Sequence, residues 1–229
     1  MMFRTFLAFL LVCAQVTLTA QADKSAEAYL IEASRAVDST RYEDVRGTPY
    51  RYEDFGTVIL YDPTLNPYQL ERANFNGFTS QFEYYTDDGQ LRELAGPNFL
   101  RVEVPQPDSS KHVYGFGLNP KFRKHYAQVI HRGEAITATM VYDVKNDEKI
   151  TETVGKTLKF QRFNAKELHF AVVDGEFKTL KRTTKAIAED LGHKAALIKF
   201  MKANKLKPTR MEDLVRIYAE AERLFGATN

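Results

Sequence analysis

The apolar positions of this chain change period twice, and each change marks a different kind of structure. Ala26, Tyr29, Leu30, Ala33 and Val37 recur at helical spacing and predict a short amphipathic helix over 25–37. From Gly47-Thr48-Pro49 the period drops toward two, and Thr57-Val58-Ile59-Leu60-Tyr61 reads as a buried strand closed by Asp62-Pro63. Phe82 to Thr86 and Gln90 to Leu94 flank Asp87-Asp88-Gly89, a hairpin signal because Asp-Gly tolerates the positive φ of tight turns. Leu100, Val102 and Val104 alternate with Arg101 and Glu103, which predicts one face in the core and one in water.

Further strands are predicted at His112 to Phe116, Ala127 to His131 and Ile136 to Val144. A turn at Asn146-Asp147 then separates the last of these from a strand over Lys149 to Val154. Leu158-Lys159-Phe160 follows, and Leu168 to Val173 with Glu176 to Leu180 makes a final hairpin around Asp174-Gly175. Past Leu180 the helical period returns, with Ile187, Leu191, Ile198 and Met201 broken at Gly192 into two short helices. Pro208-Thr209 opens a third, where Thr209 and Glu212 have capping-box spacing and Leu214, Ile217, Tyr218, Ala221 and Leu224 form the apolar stripe.

Frequent strands with hairpin turns and no intervening helices imply an α+β fold. Its expected form is an antiparallel sheet or partial barrel of about 8–10 strands, with a short N-terminal helix and a helical C-terminal tail. The expected organisation is a signal peptide at 1–22 and a single α+β domain at 23–229. That domain divides into the N-terminal helix (23–40), the β region (41–180) and the helical tail (181–229).

The leader changes where such a fold would work. Arg4, the apolar run Phe6 to Val16 and the small-residue pattern Ala20-Gln21-Ala22 make a secretory signal, so the chain is expected to be exported, to the periplasm or beyond the cell. Its removal takes away Cys13, the only cysteine, leaving neither a disulfide nor a thiolate ligand. No later apolar run approaches the roughly 20 residues of a membrane-spanning helix. A hydrophobic content of 44% is enough for a core. A net charge of +2 gives no global field pointing to a nucleic acid.

Gly47-Thr48-Pro49-Tyr50 with Asp54-Phe55, a strand, and then Asn74-Phe75-Asn76 leading into Phe82-Glu83-Tyr84 resembles a family of exported Bacteroidota proteins. Its members open with a Gly-x-Pro-Tyr stretch and end in a helical tail, here Lys194 to Leu224. The resemblance implies an exported protein with that layout and carries over no catalytic residue.

The side-chain chemistry favours binding over catalysis. His112, His125 and His131 match no metal-ligand spacing, while His169 falls on a predicted strand and His193 at a helix boundary, so no metal and no cofactor is expected. There is no Gly-x-Ser-x-Gly elbow, and Gly115-Phe116-Gly117 lacks the third glycine of a dinucleotide loop. The carboxylate pairs Glu53-Asp54 and Asp87-Asp88 read as turn chemistry.

Two features suggest contact surfaces. Tyr42, Tyr50, Tyr52 and Phe55 with Arg51 form an aromatic and basic segment, and Lys181, Arg182, Lys185, Lys199 and Lys202 belong to a basic tail. The expectation is a non-enzymatic envelope protein that binds another envelope protein or an anionic envelope component. An alternative is a periplasmic carrier of an apolar ligand or lipid, and a hydrolase is the weaker third reading.

Overall fold

The structure is a computed structural model that describes residues 26–153 and 156–227; the expected signal peptide lies outside the described residues. Helix α1 covers 26–32. It is followed by strands β1 (Ser34–Ala36), β2 (Val45–Arg46), β3 (Gly56–Tyr61), β4 (Pro67–Asn76), β5 (Gln81–Tyr85) and β6 (Leu91–Leu94). A 3-10 turn at Gly96–Asn98 leads to β7 (Arg101–Pro105), β8 (Lys111–Phe116), β9 (Tyr126–Arg132), β10 (Ile136–Thr153), β11 (Lys156–Val173) and β12 (Glu176–Leu180). Helices α2 (Thr184–Asp190), α3 (Lys194–Ala203) and α4 (Met211–Gly226) complete the chain.

The fold is α+β, and among the described residues its strands form one 12-stranded sheet in the order β1-β6-β5-β4-β3-β7-β8-β9-β10-β11-β12, with β2 added in parallel to β11. Every other pairing is antiparallel, so two meanders meet where β3 lies beside β7. The sheet is not closed, but it curls until the β4–β5 turn reaches β10, where the Val144 N–H donates to the Gly77 carbonyl at 3.2 Å. A Cβ on Gly77 would stand 2.5 Å from the Tyr142 ring, so only glycine allows this approach.

One row of register partners crosses the inner face: Leu60, Val102, Tyr114, Gln128, Met140, His169 and Leu180. On one side of the row's centre Phe75, Phe82, Tyr114 and Tyr126 pack edge to face or tilted at 5.1–5.2 Å and are fully buried. On the other side Ile136, Ala138, Ala171 and Val173 pack against Ile187, Leu197, Leu214 and Ile217 of the helical tail. Gln128 and His169, flanking Met140, mark a polar seam between the two cores.

Three expectations are corrected. The first helix stops early, because residues 34–36 pair with β6 and the Val37 N–H bonds to the Leu91 carbonyl; sheet pairing overrides the helical spacing of Val37. Asn146-Asp147 is not a turn, since β10 runs unbroken to Thr153 and pairs with β11 along its whole length. The amide of Asn146 donates to Gln161 across the ribbon at 2.7 Å and Asn164 donates to Asp147 at 3.1 Å, so the polar side chains that favour turns are satisfied in the ladder. The Thr209 capping box does not form. Arg210 is the N-cap without a side-chain bond, and Asp213 instead accepts the Lys207 N–H at 2.9 Å.

Candidate functional site

β10 and β11, at 18 residues each, are the longest strands among the described residues. β10 pairs with β9 only over 137–140, and β11 with β12 only over 169–173 and with β2 only at 161–162, so among the described residues most of the β10–β11 ribbon has no neighbouring strand beyond its own partner. Residues 145–153 alone add roughly 30 Å at about 3.4 Å per residue. Toward its tip Ile150 is 57% exposed and Leu158 51% exposed. Ile150 stands opposite Lys159 and Leu158 opposite Thr151, so these two apolar side chains point to opposite faces of the ribbon.

The aromatic and basic segment braces the root of this arm. Tyr42 packs edge-on against Phe163 at 5.1 Å, and the guanidinium of Arg46, on β2, lies 3.8 Å over the Phe160 ring. Arg51 reaches Glu167 at 2.8 Å and covers the Tyr142 ring at 4.9 Å. Tyr50 donates to Glu83 at 2.9 Å and packs against Phe55 at 4.9 Å. The Tyr52 hydroxyl bonds to Tyr114 at 2.8 Å and to the His112 ring at 2.9 Å, and burial pushes it up to about 12. All five of Tyr42, Tyr50, Arg51, Tyr52 and Phe55 are half-buried.

Beneath the segment lies Glu83, whose side chain is fully buried. It accepts from Arg41 at 2.5 Å, Tyr50 at 2.9 Å and Asn76 at 2.6 Å. Burial raises its pKa although Arg41 and these donors favour the charged form. This network anchors the segment to β4 and β5.

Glu167 is the second hub, at the edge of the seam. One oxygen meets Arg51 and the other accepts from Arg182 at 3.0 Å, with the His169 ring 3.8 Å away. Contact with His169, set against burial and helped by the Arg51 charge, holds the Glu167 carboxyl at about 2. Arg182 also donates to the Pro208 and Thr209 carbonyls. It therefore ties the tail to the sheet, while Lys181, Lys185, Lys199 and Lys202 remain exposed.

Sequence reasoning singled out Arg51 and Arg182 for two separate surfaces; the structure brings them onto one carboxylate. Glu167 itself was missed. A signal existed, because Glu167 and His169 alternate with Leu168 and Phe170 and give the strand a polar inner face next to an apolar one. The five histidines are scattered, and among the described residues no group of three or more His, Cys, Asp and Glu side chains could hold a metal ion. No helix among them is long and apolar enough to cross a membrane. The chain matches no family model, no curated protein and no solved structure.

Proposed function

We propose that the chain is an exported, non-enzymatic protein of the cell envelope, periplasmic or extracellular, and that it works as a binding module. Its membership of the Bacteroidota family it resembles is part of the same proposal. The observation that carries the reading is the β10–β11 arm, a braced two-stranded ribbon with open edges and bare Ile150 and Leu158. Open strand edges offer unpaired backbone groups to an incoming strand, and flanking apolar side chains add affinity, as in strand-addition complexes. The partner is an envelope protein with an extended segment.

The titratable groups support binding over hydrolysis. A carboxyl held at about 2 has no proton to donate at neutral pH, and both oxygens of Glu167 are engaged by arginines. Glu83 has the raised pKa a general acid needs but is sealed beneath its own partners.

The test places a photo-crosslinking residue at position 150 or 158 in cells that export the protein. One discrete crosslinked species, missing when the probe sits at Lys124, is the expected result. No product, or the same product from every position, sinks the reading.

The carrier alternative rests on a groove of about 810 Å³ between α1 and β4–β5, where Leu30, Ile31, Leu70 and Tyr84 share the wall with Glu27, Arg72 and Asp87. Its mixed lining and the filled aromatic core weigh toward the module. A lipid-sized adduct in the native mass of protein purified gently from its envelope would reverse that preference.

A further inference from the structure

The helical tail carries cations that the protein itself leaves unused. Lys181, Lys199, Lys202, Lys205, Lys207 and Arg210 are exposed, and none pairs with a carboxylate or ring. Lys185, in the first turn of α2, is likewise bare. Their neighbours behave differently: Arg182 is committed to Glu167, and Lys194 to Glu189 at 3.2 Å. The acidic groups nearby are few. Asp213 is half-buried and takes the Lys207 backbone N–H, and Glu212 lies in the first turn of α4.

The fold gathers these cations. Helix α3 buries Leu197 and Met201, which leaves Ala195, Lys199, Lys202 and Ala203 on its outer side. The helix ends with Lys205 in the left-handed region at φ 53° and the Leu206 N–H on the Met201 carbonyl at 2.9 Å. The Arg182 guanidinium then holds Pro208 and Thr209, drawing Lys181 to the linker that bears Lys205, Lys207 and Arg210. Exposed lysines among small alanines make a cationic surface of point charges without the rigid fork that reads one anion's shape. The aromatic rings of the tail face inward: Tyr218 is buried, and Phe200 and Phe225 pack against the helical core. A lysine surface without stacking rings suits a leaflet of anionic phospholipid better than a nucleic acid.

We propose that the outer side of α3 and the linker to α4 form a docking surface for an anionic phospholipid leaflet. The proposal rests on the envelope reading only for the presence of such a leaflet. Binding is electrostatic and peripheral, so it weakens as salt shortens the screening length.

The test is flotation of the purified exported protein with vesicles of phosphatidylcholine containing about one-third phosphatidylglycerol, against phosphatidylcholine alone. Wild type floats with the anionic vesicles only, and salt releases it. Each lysine near such a surface is worth about fivefold in affinity, so Lys199→Gln/Lys202→Gln/Lys205→Gln binds on the order of a hundredfold more weakly. Arg123→Gln/Lys124→Gln, at exposed cations elsewhere, binds like wild type. So does Ile150→Asp/Leu158→Asp, which disables the arm and keeps the two proposals separable.

Equal flotation with both vesicles, no flotation, or an unaffected triple variant that keeps its fold by circular dichroism overturns the proposal. Tighter binding to a single-stranded oligonucleotide than to the vesicles also overturns it, and assigns the surface to nucleic acid.

Discussion

Arg51 and Glu167 meet at 2.8 Å, and that contact joins the segment following Gly47-Thr48-Pro49-Tyr50 to the root of the β10–β11 arm. The other Glu167 oxygen holds Arg182, so one carboxylate fastens the brace, the arm and the helical tail together. Neutralising it is expected to loosen all three.

Glu167→Gln should cost about 1.5–3 kcal/mol near neutral pH, the usual worth of hydrogen bonds to a charged group. The contact with His169 and the Arg51 charge lower the carboxyl from its ordinary value of 4.5 to about 2. Its contribution is therefore complete above the unfolded pKa and is lost as pH falls through the folded one. Urea unfolding of wild type and Glu167→Gln across the acid range checks this: the difference should shrink below about pH 4.5 and vanish below about pH 2. A gap independent of pH would exclude an ionic role for Glu167.

Glu83 should behave with the opposite sign. Burial raises its pKa, so its ionised form costs stability, and that cost is relieved as pH falls through the folded pKa. Glu83→Ala strands the Arg41 guanidinium without its buried partner and should destabilise by about 3–5 kcal/mol. Glu83→Leu combined with Arg41→Met should recover much of that loss, because an apolar pair replaces the ion pair without leaving a buried charge. A double-mutant cycle in denaturant measures the coupling, and purely additive effects would rule it out.

The seam offers a gain in stability. The Gln128 Oε1 and His169 Nδ1 atoms are buried without a hydrogen-bond partner, and each such group costs about 1–3 kcal/mol. Gln128→Met keeps the volume, removes one unmet acceptor and stands beside Met140 in the same row. We expect the melting temperature to rise; a fall would mean that Gln128 has work in the seam that packing does not replace.

The legible parts of the fold were those set by local chemistry. Asp174-Gly175 takes positive φ at both residues and makes the hairpin its dipeptide predicts, and Gly192 at φ 75° separates α2 from α3 where the apolar stripe breaks. β4 was not assigned as a strand, because Gln69, Glu71 and Arg72 dilute its apolar alternation. The arm was illegible for a related reason. Asn146 and Asp147 resemble a turn one at a time, and only the partner strand, supplying Gln161 and Asn164, makes them ladder residues. The meeting of Arg51 with Arg182 was beyond reach as well, because the sheet's curl and the Arg182 bonds to the 208–209 backbone bring them together without any local signal.

The arm leaves the sheet where Gly77 presses on β10, and that approach can be tested by adding a single methyl group. In Gly77→Ala the Cβ would lie 2.5 Å from the ring of Tyr142, half-buried against the core, and 2.6 Å from the buried Val144. Overpacking of this kind should cost about 1–3 kcal/mol and lengthen the Val144 to Gly77 hydrogen bond. Hydrogen exchange should then speed up at the Val144 amide and its neighbours in the arm's root, while the Phe82 region stays protected. Gly56→Ala is the matched control, since its Cβ meets nothing within 4 Å and the residue needs no positive φ; it should change stability by less than about 0.5 kcal/mol. If both substitutions cost the same, the loss comes from adding a side chain to a backbone glycine in general and not from the contact that sets the arm on the sheet.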